Sequence, residues 1–274
     1  MTMILTDVHT HTSFSPDGED SLDRMVERAE ALGISYYGIA EHFDYDYLVN
    51  GIPFGEEPAV FIDEEAYFKS AREAQRKAKL CLLVGGEFGF TTNPEAHRLY
   101  QRVIERYRPD FVVNSVHTNG RGDYYFPQTY RGRTREETFS EYLSLVKKSL
   151  AAPYSYDIVA HFCYPVRYAP YEKREITLLE YGRQIDEILR EIIERDKILE
   201  VNSSAKGAGE LFLPGREIVA RYFALGGRKV SFASDAHDVS RILERRETIV
   251  RVLREIGFTE ITVPVRGKHL FIPI

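Results

Sequence analysis

The stretch TDVHTHTSFSPDGE, residues 6–19, gathers Asp7, His9, His11 and Asp17 in one short segment. Side chains alternate along an extended strand, so Asp7, His9 and His11 share a face. Imidazole nitrogens and carboxylate oxygens together are the donors a divalent transition metal takes. A polar turn carrying chance histidines is the competing explanation, and the rest of the chain decides between the two.

Of the eight histidines, His9, His11, His42, His117, His161 and His237 each fall at or just past the end of an apolar, strand-like segment. Asp7, Glu87 and Asp235 do the same, while His97 and His269 fall elsewhere. A lone histidine of this kind is usually a hydrogen-bonded core residue. Six of them with three carboxylates in one layer favour metal. That is more donors than one zinc needs, since a structural site takes about four and a catalytic site about three plus water. Two or three divalent ions are implied, and nitrogen and oxygen donors without a cysteine set point to Zn, Mn or Fe. Cys163 lies two positions beyond His161 and is read as a buried small residue rather than a ligand.

These donors need elements that bring them together. The strand-like segments are ILTDVH, SYYGIAEH, LCLLVGGE, FVVNSVH, DIVAHF, ILEVNSS and KVSFASDAH. Between them run amphipathic stretches with helix signals: Ser21 to Leu32, a helix from near Asp63, and PEAHRLYQRVIERY with Pro94 in its first turn. A capping box at Thr134–Glu137 opens the next, followed by helices over 178–195, 215–226 and 240–258. The tail EITVPVRGKHLFIPI reads as two strands joined at RGK. The 44–62 segment reads as a long loop. Strands alternating with helices imply a parallel α/β sheet, and seven consecutive units favour a closed barrel over an open sheet. In such a barrel every strand C-terminus opens on one face, where active sites lie.

At 274 residues the chain fits one domain, residues 1–274, with 43% hydrophobic residues to fill a core. A net charge of −6 argues against nucleic-acid partners, which need clustered Lys and Arg. No apolar run reaches the roughly 18 residues of a membrane span. Two cysteines make no disulfide framework, and a cytoplasmic location is expected.

The pieces DVHTHTSFSPDG, GIAEH, VGGEFG, VNSVH, VAHF and SDAH, in this order over residues 7–237, resemble the polymerase-and-histidinol-phosphatase (PHP) family, most of all its histidinol-phosphatase branch. The resemblance implies a distorted (β/α)7 TIM-like barrel with three metal ions. By position, one ion would be held by His9, His11, Glu87 and Asp235. A second would share Glu87 and add His117 and His161, and a third would take Asp17, His42 and His237. Asp7 would then orient a ligand histidine. Arg167 and Lys206 stand where relatives carry substrate-binding cations, while Arg131, Arg133 and Arg135 are left out of the site as solvated charge.

The implied activity is hydrolysis of a small phosphorylated metabolite, L-histidinol phosphate, to histidinol and phosphate. Its cationic end would meet Tyr124, Tyr125, Phe126, Tyr164 and Tyr168. The alternatives are another phosphomonoester, or a phosphodiester or nucleotide. The chain departs from the family pattern in having no Trp where relatives carry one after the fourth strand. A metal-binding module without catalysis is disfavoured by full occupancy of the ligand positions. An amidohydrolase-like barrel is disfavoured by the lack of a strand-end lysine.

Overall fold

The computed structural model describes residues 4–205 and 209–274. Seven parallel strands, β1 (Leu5–Thr10), β2 (Ile34–Phe43), β3 (Cys81–Gly89), β4 (Phe111–Ser115), β5 (Ile158–Val159), β6 (Ile198–Asn202) and β7 (Val230–Ala233), pair in chain order. The edges β1 and β7 then meet. Thr10 bridges Ala236 in parallel, the Asp235 amide donates to the His9 carbonyl at 2.9 Å, and the His11 amide donates to the Ala236 carbonyl at 2.8 Å. These contacts close the expected barrel at the end that carries the histidines.

Among the described residues eight α-helices accompany the strands: α1 (Leu22–Ala31), α2 (Tyr45–Asn50), α3 (Glu64–Lys77), α4 (Pro94–Tyr107), α5 (Arg135–Ser149), α6 (Leu178–Glu194), α7 (Arg216–Ala224) and α8 (Arg246–Ile256). The local signals act as expected. Ser21, Asp63, Asn93, Thr134 and Thr177 accept from first-turn amides as caps, and Thr134 with Glu137 forms the capping box. Ile185, Ile188, Leu189 and Ile192 of α6 are fully buried, the face their spacing predicts.

The barrel has two apolar layers. Helix faces pack on the outside of the sheet, while Val8, Ala40, Leu83, Phe111, Val113, Ile158 and Ile198 form a separate inner cluster. The Phe111 ring lies where a Cβ at Gly85 would come within 2.5 Å, so only glycine allows that approach. The antiparallel hairpin β8 (Glu260–Val265) and β9 (Lys268–Pro273) adds Val263 and Ile272 to the same cluster. Ligand-bearing strand ends are thus anchored from below by packed side chains.

Two expectations are corrected. The segment after β2 contains the short helix α2, which the loop-like composition of 44–62 hides. The helix expected over 240–258 starts only at Arg246, because Leu243 and Arg245 take left-handed φ values of 62° and 59°. The Leu243 amide is drawn instead to Asp7 Oδ2 at 3.1 Å.

Candidate metal centre

All nine expected donors reach one mouth of the barrel. His9 lies in β1, His42 in β2 and Glu87 in β3, while His11, His117, His161, Asp235 and His237 follow the ends of β1, β4, β5 and β7. Asp17 arrives on the loop between β1 and α1. That loop is pinned by Ser13 N to Asp20 O at 2.8 Å and Glu19 N to His237 O at 2.8 Å. Gly18 is obligatory in this turn, since a Cβ there would come 1.9 Å from the Thr12 carbonyl oxygen. Asp235 itself holds φ at 53°, a conformation found where a site dictates the backbone.

Glu87 sits at the centre. Its Oε1 is 2.8 Å from His161 Nε2 and 3.2 Å from His117 Nε2. Its Oε2 is 3.0 Å from His42 Nδ1, 3.3 Å from His9 Nε2 and 3.5 Å from His11 Nε2. Asp235 Oδ1 stands 3.5 Å from His11 Nε2. On the outer side Asp17 approaches His237 Nε2 at 3.2 Å and His42 Nε2 at 3.6 Å. Among the described residues, three groupings bring ligand atoms within 4.8 Å of one another: His9, His11 and Asp235; His11, His42 and His237; His42, Glu87 and His117.

The donors fit a metal and little else. His9 Nε2 and His11 Nε2 face each other at 3.1 Å, and His117 Nε2 and His161 Nε2 at 3.3 Å. Buried polar atoms are nearly always hydrogen-bonded, yet His42 Nδ1, Glu87 Oε2 and His237 Nε2, despite these close approaches, have no partner in hydrogen-bond geometry among the described residues. Electrostatics follow the crowding. Burial alone would raise the Glu87 carboxyl, but the charges of His9, His117 and His42 hold it well below the carboxylate range. Burial and the neighbouring His237 and His42 push His11 down to about 3. His117, against the opposing effect of burial, is lifted to about 9 by Glu87.

Several residues of the site escape the sequence reading, and one of them orients a donor. Glu200, in β6, accepts from His9 Nδ1 at 2.6 Å and from the His161 amide at 2.8 Å. It leaves His9 Nε2 as the nitrogen turned to the centre, the orienting role expected of Asp7. Asp7 instead accepts from the Ser234 and Leu243 amides, and its burial raises its carboxyl to about 6.

The centre floors a cavity of about 600 Å³. Arg167 reaches it, buried, with Nη1 3.2 Å from Asp235 Oδ2, Nη2 2.9 Å from Asn202 Oδ1 and its guanidinium 5.4 Å from the Tyr164 ring centroid. Lys206 lies outside the described residues. Of the expected aromatic wall, Tyr125, Tyr164 and Tyr168 line the cavity. Tyr124 is fully buried instead, and Phe126 packs against Phe54. Tyr47, Asp44, Asp123 and Glu57 join the lining without having been expected. Arg133 pairs with Glu141 and Arg135 pairs with Glu180, so these two charges are paired and partly covered rather than solvated, and neither lines the cavity. Cys163 is buried at the start of a short 3₁₀ turn, and burial pushes its thiol upward.

A parallel barrel with nitrogen and oxygen donors at its strand ends belongs to the metal-binding class of such folds. The family described as PHP domain matches residues 7–204, most of the chain, and the chain belongs to that family. It is 29% identical over 231 residues to a "Probable histidinol-phosphatase" of Clostridium acetobutylicum, covering 84% of this chain and 86% of the relative. It is 25% identical over 258 residues to the histidinol-phosphatase of Lactococcus lactis, covering 93% and 92%. A crystal structure of histidinol phosphate phosphatase from Lactococcus lactis, complexed with zinc, L-histidinol and phosphate, matches with a TM-score of 0.81. That match covers 98% of this chain and 100% of the other at 24% identity, and the likeness is one of fold.

Proposed function

We propose that this chain is a metal-dependent phosphomonoesterase that hydrolyses L-histidinol phosphate to L-histidinol and phosphate. The observation that carries the reading is the convergence of nine nitrogen and oxygen donors at the floor of a cavity beside a buried arginine. The relatives in Clostridium and Lactococcus support the substrate. Residues 1–274 act as one domain, cytoplasmic, with a small metabolite and no nucleic acid as partner.

The site takes two or three divalent ions, Zn, Mn or Fe, and the zinc of the Lactococcus crystal structure supports the first. His9, His11, Glu87 and Asp235 hold one ion. Glu87 is shared with a second, held also by His117 and His161, and Asp17, His42 and His237 hold a third. When bound, such ions supply a nucleophilic hydroxide at neutral pH and clamp phosphate oxygens.

The protein groups do the rest. Arg167, fixed by Asp235 and Asn202, keeps its charge and binds a phosphate oxygen. Lys206 serves as a second cation. Tyr47, Tyr125, Tyr164 and Tyr168 enclose the organic part of the substrate and exclude water. Asp44, Asp123 and Glu57 put negative charge on the same wall, suited to the ammonium and imidazole of histidinol. Asp123 is held for this by the Tyr47 hydroxyl and by the Tyr125 amide at 2.5 Å. Phosphoryl transfer needs mainly positioning and charge stabilisation, so no side-chain nucleophile is required.

The test compares kcat/KM on histidinol phosphate with that on p-nitrophenyl phosphate, with metal content measured on the same samples. Histidinol phosphate is expected to be favoured at least about tenfold, roughly 1.4 kcal/mol. Equal or better turnover of the simple monoester would make the chain a phosphoesterase with another substrate.

A further inference from the structure

Glu41 is a fully buried carboxylate that neither the proposed ligand set nor the substrate wall uses. It stands in β2 one residue before His42, facing the loop that follows β1. Three donors converge on it. The Thr12 hydroxyl donates to Oε1 at 2.6 Å, the Thr12 amide reaches Oε1 and Oε2 at 3.1 and 3.2 Å, and the Ser15 hydroxyl donates to Oε2 at 2.5 Å.

The Ser15 hydroxyl has one hydrogen and two lone pairs. With the hydrogen given to Glu41, its oxygen can only accept. One lone pair takes the His42 backbone amide at 3.0 Å. The other faces His11 Nδ1 at 3.2 Å, so Nδ1 carries the proton and Nε2 is left bare. That Nε2 is the atom turned toward His9 Nε2, Glu87 and Asp235.

We infer that Ser15 and Glu41 are positioning residues: a carboxylate–hydroxyl–imidazole relay that fixes the tautomer and ring direction of His11, and seats His42 beside it, for metal binding. The inference rests on the metal reading above. His9 obtains the same result from direct contact with Glu200. His11 obtains it through one intervening hydroxyl, that of Ser15. The relay also ties the loop that carries Asp17 to β2, since Gly18 N donates to the Ser15 carbonyl at 3.1 Å.

The test titrates zinc into chelator-stripped protein against a competing metal dye, with thermal midpoints of the same stripped samples. Orienting partners of metal ligands typically contribute about 10- to 100-fold in affinity. Ser15→Ala is expected to lose about that much for at least one ion, while Ser15→Thr, which keeps the hydroxyl, stays within several-fold of wild type. Ser13→Ala, on the exposed side of the same loop, should match wild type. Glu41→Gln should lose affinity in the same direction and decides the question if Ser15→Ala does not fold.

Unchanged zinc affinity in a folded Ser15→Ala or Glu41→Gln variant would overturn the relay alone. Equal losses in Ser15→Ala and Ser15→Thr would also overturn it, assigning the effect to packing. A wild-type protein that takes up no zinc would overturn the metal reading and the relay together.

Discussion

At the base of the barrel, Asp110 is buried with a partner for each oxygen. Its Oδ1 accepts from Arg266 Nε at 2.7 Å, and its Oδ2 accepts from Arg72 Nη1 at 2.7 Å, Gln75 Nε2 at 2.6 Å and the Val84 amide at 3.0 Å. At the mouth, Glu87 is as deeply buried, but imidazoles crowd it and crowd one another. The base neutralises its charge within the chain and joins the barrel to the hairpin through Arg266. The mouth assembles like donors whose mutual approach is unfavourable until a cation compensates it. Buried charge is paired within the chain at one end and, on the proposed reading, serves metal binding at the other.

The largest expected effect breaks the mouth. Glu87→Ala should lower kcat/KM by more than about 10³-fold, equal to roughly 4 kcal/mol of charge stabilisation. Elemental analysis should show metal lost from two sites together, whereas Asp17→Asn loses mainly one ion. A full metal complement in Glu87→Ala would end its assignment as a shared ligand. Chelation should abolish activity with the far-ultraviolet circular dichroism unchanged, since the strands pair through backbone groups, which metal removal leaves in place.

Asp110→Ala should do the reverse. Removing one member of a buried ion pair costs about 3–5 kcal/mol, and the exposed position of Arg266 tempers that toward about 2–4 kcal/mol. Urea unfolding would measure the loss, with metal content and kcat retained at 25 °C. A fall in kcat without a fall in stability would contradict the division between the two ends.

Arg167→Ala tests the boundary between metal and substrate at the mouth. Metal content should hold while phosphate-monoester binding weakens by about 1.5–3 kcal/mol, the scale of a hydrogen bond to a charged group. Kinetics identical to wild type would make Arg167 a structural partner of Asp235 and nothing more.

The same two ends differ in how far the sequence reveals them. The seven strands, their order and the convergence of eight candidate donors are legible, because a parallel barrel turns strand-end residues into neighbours whatever their separation along the chain, whereas Asp17, on the loop after β1, comes only from the family resemblance. Glu200 was not readable. In ILEVN a single Glu between apolar residues looks like any outward polar position, and only closure of the barrel shows that it faces His9. Strand parity with His9 makes Asp7 a candidate donor, and the resemblance, which fills the ligand positions with other residues, leaves it the orienting role. The register shift between Asp7 and Thr10 accompanies its turn toward the Ser234 and Leu243 amides instead. Asp110 and Arg266 are separated by 156 positions, and no local pattern links them. The start of α8 was misplaced because a tertiary bond to Asp7 outweighs helical periodicity over 240–245.

The smallest expected effect is a difference in slope, and it sets Asp110 against Asp7. Burial works to raise the Asp110 carboxyl, but the Val84 amide, Arg266, Gln75 and Arg72 together hold it below its ordinary value. As pH falls below about 3.9, the unfolded chain therefore takes up this proton before the folded one does. The Asp110 contribution is complete above that value and is lost as pH falls through the lower, folded one. Asp7 has the opposite sign. Burial raises it to about 6, so the folded chain holds the proton more tightly and stability declines as pH rises from about 3.9 toward 6. Urea midpoints of metal-free protein from about pH 2 to about pH 7 should show Asp110→Asn with a shallower loss below about pH 4. Asp7→Asn should lose the decline between about pH 4 and 6. Difference curves of the same sign for the two variants would show that burial without compensation does not govern Asp7. Its two backbone amides would then hold it as a carboxylate, as the four donors hold Asp110.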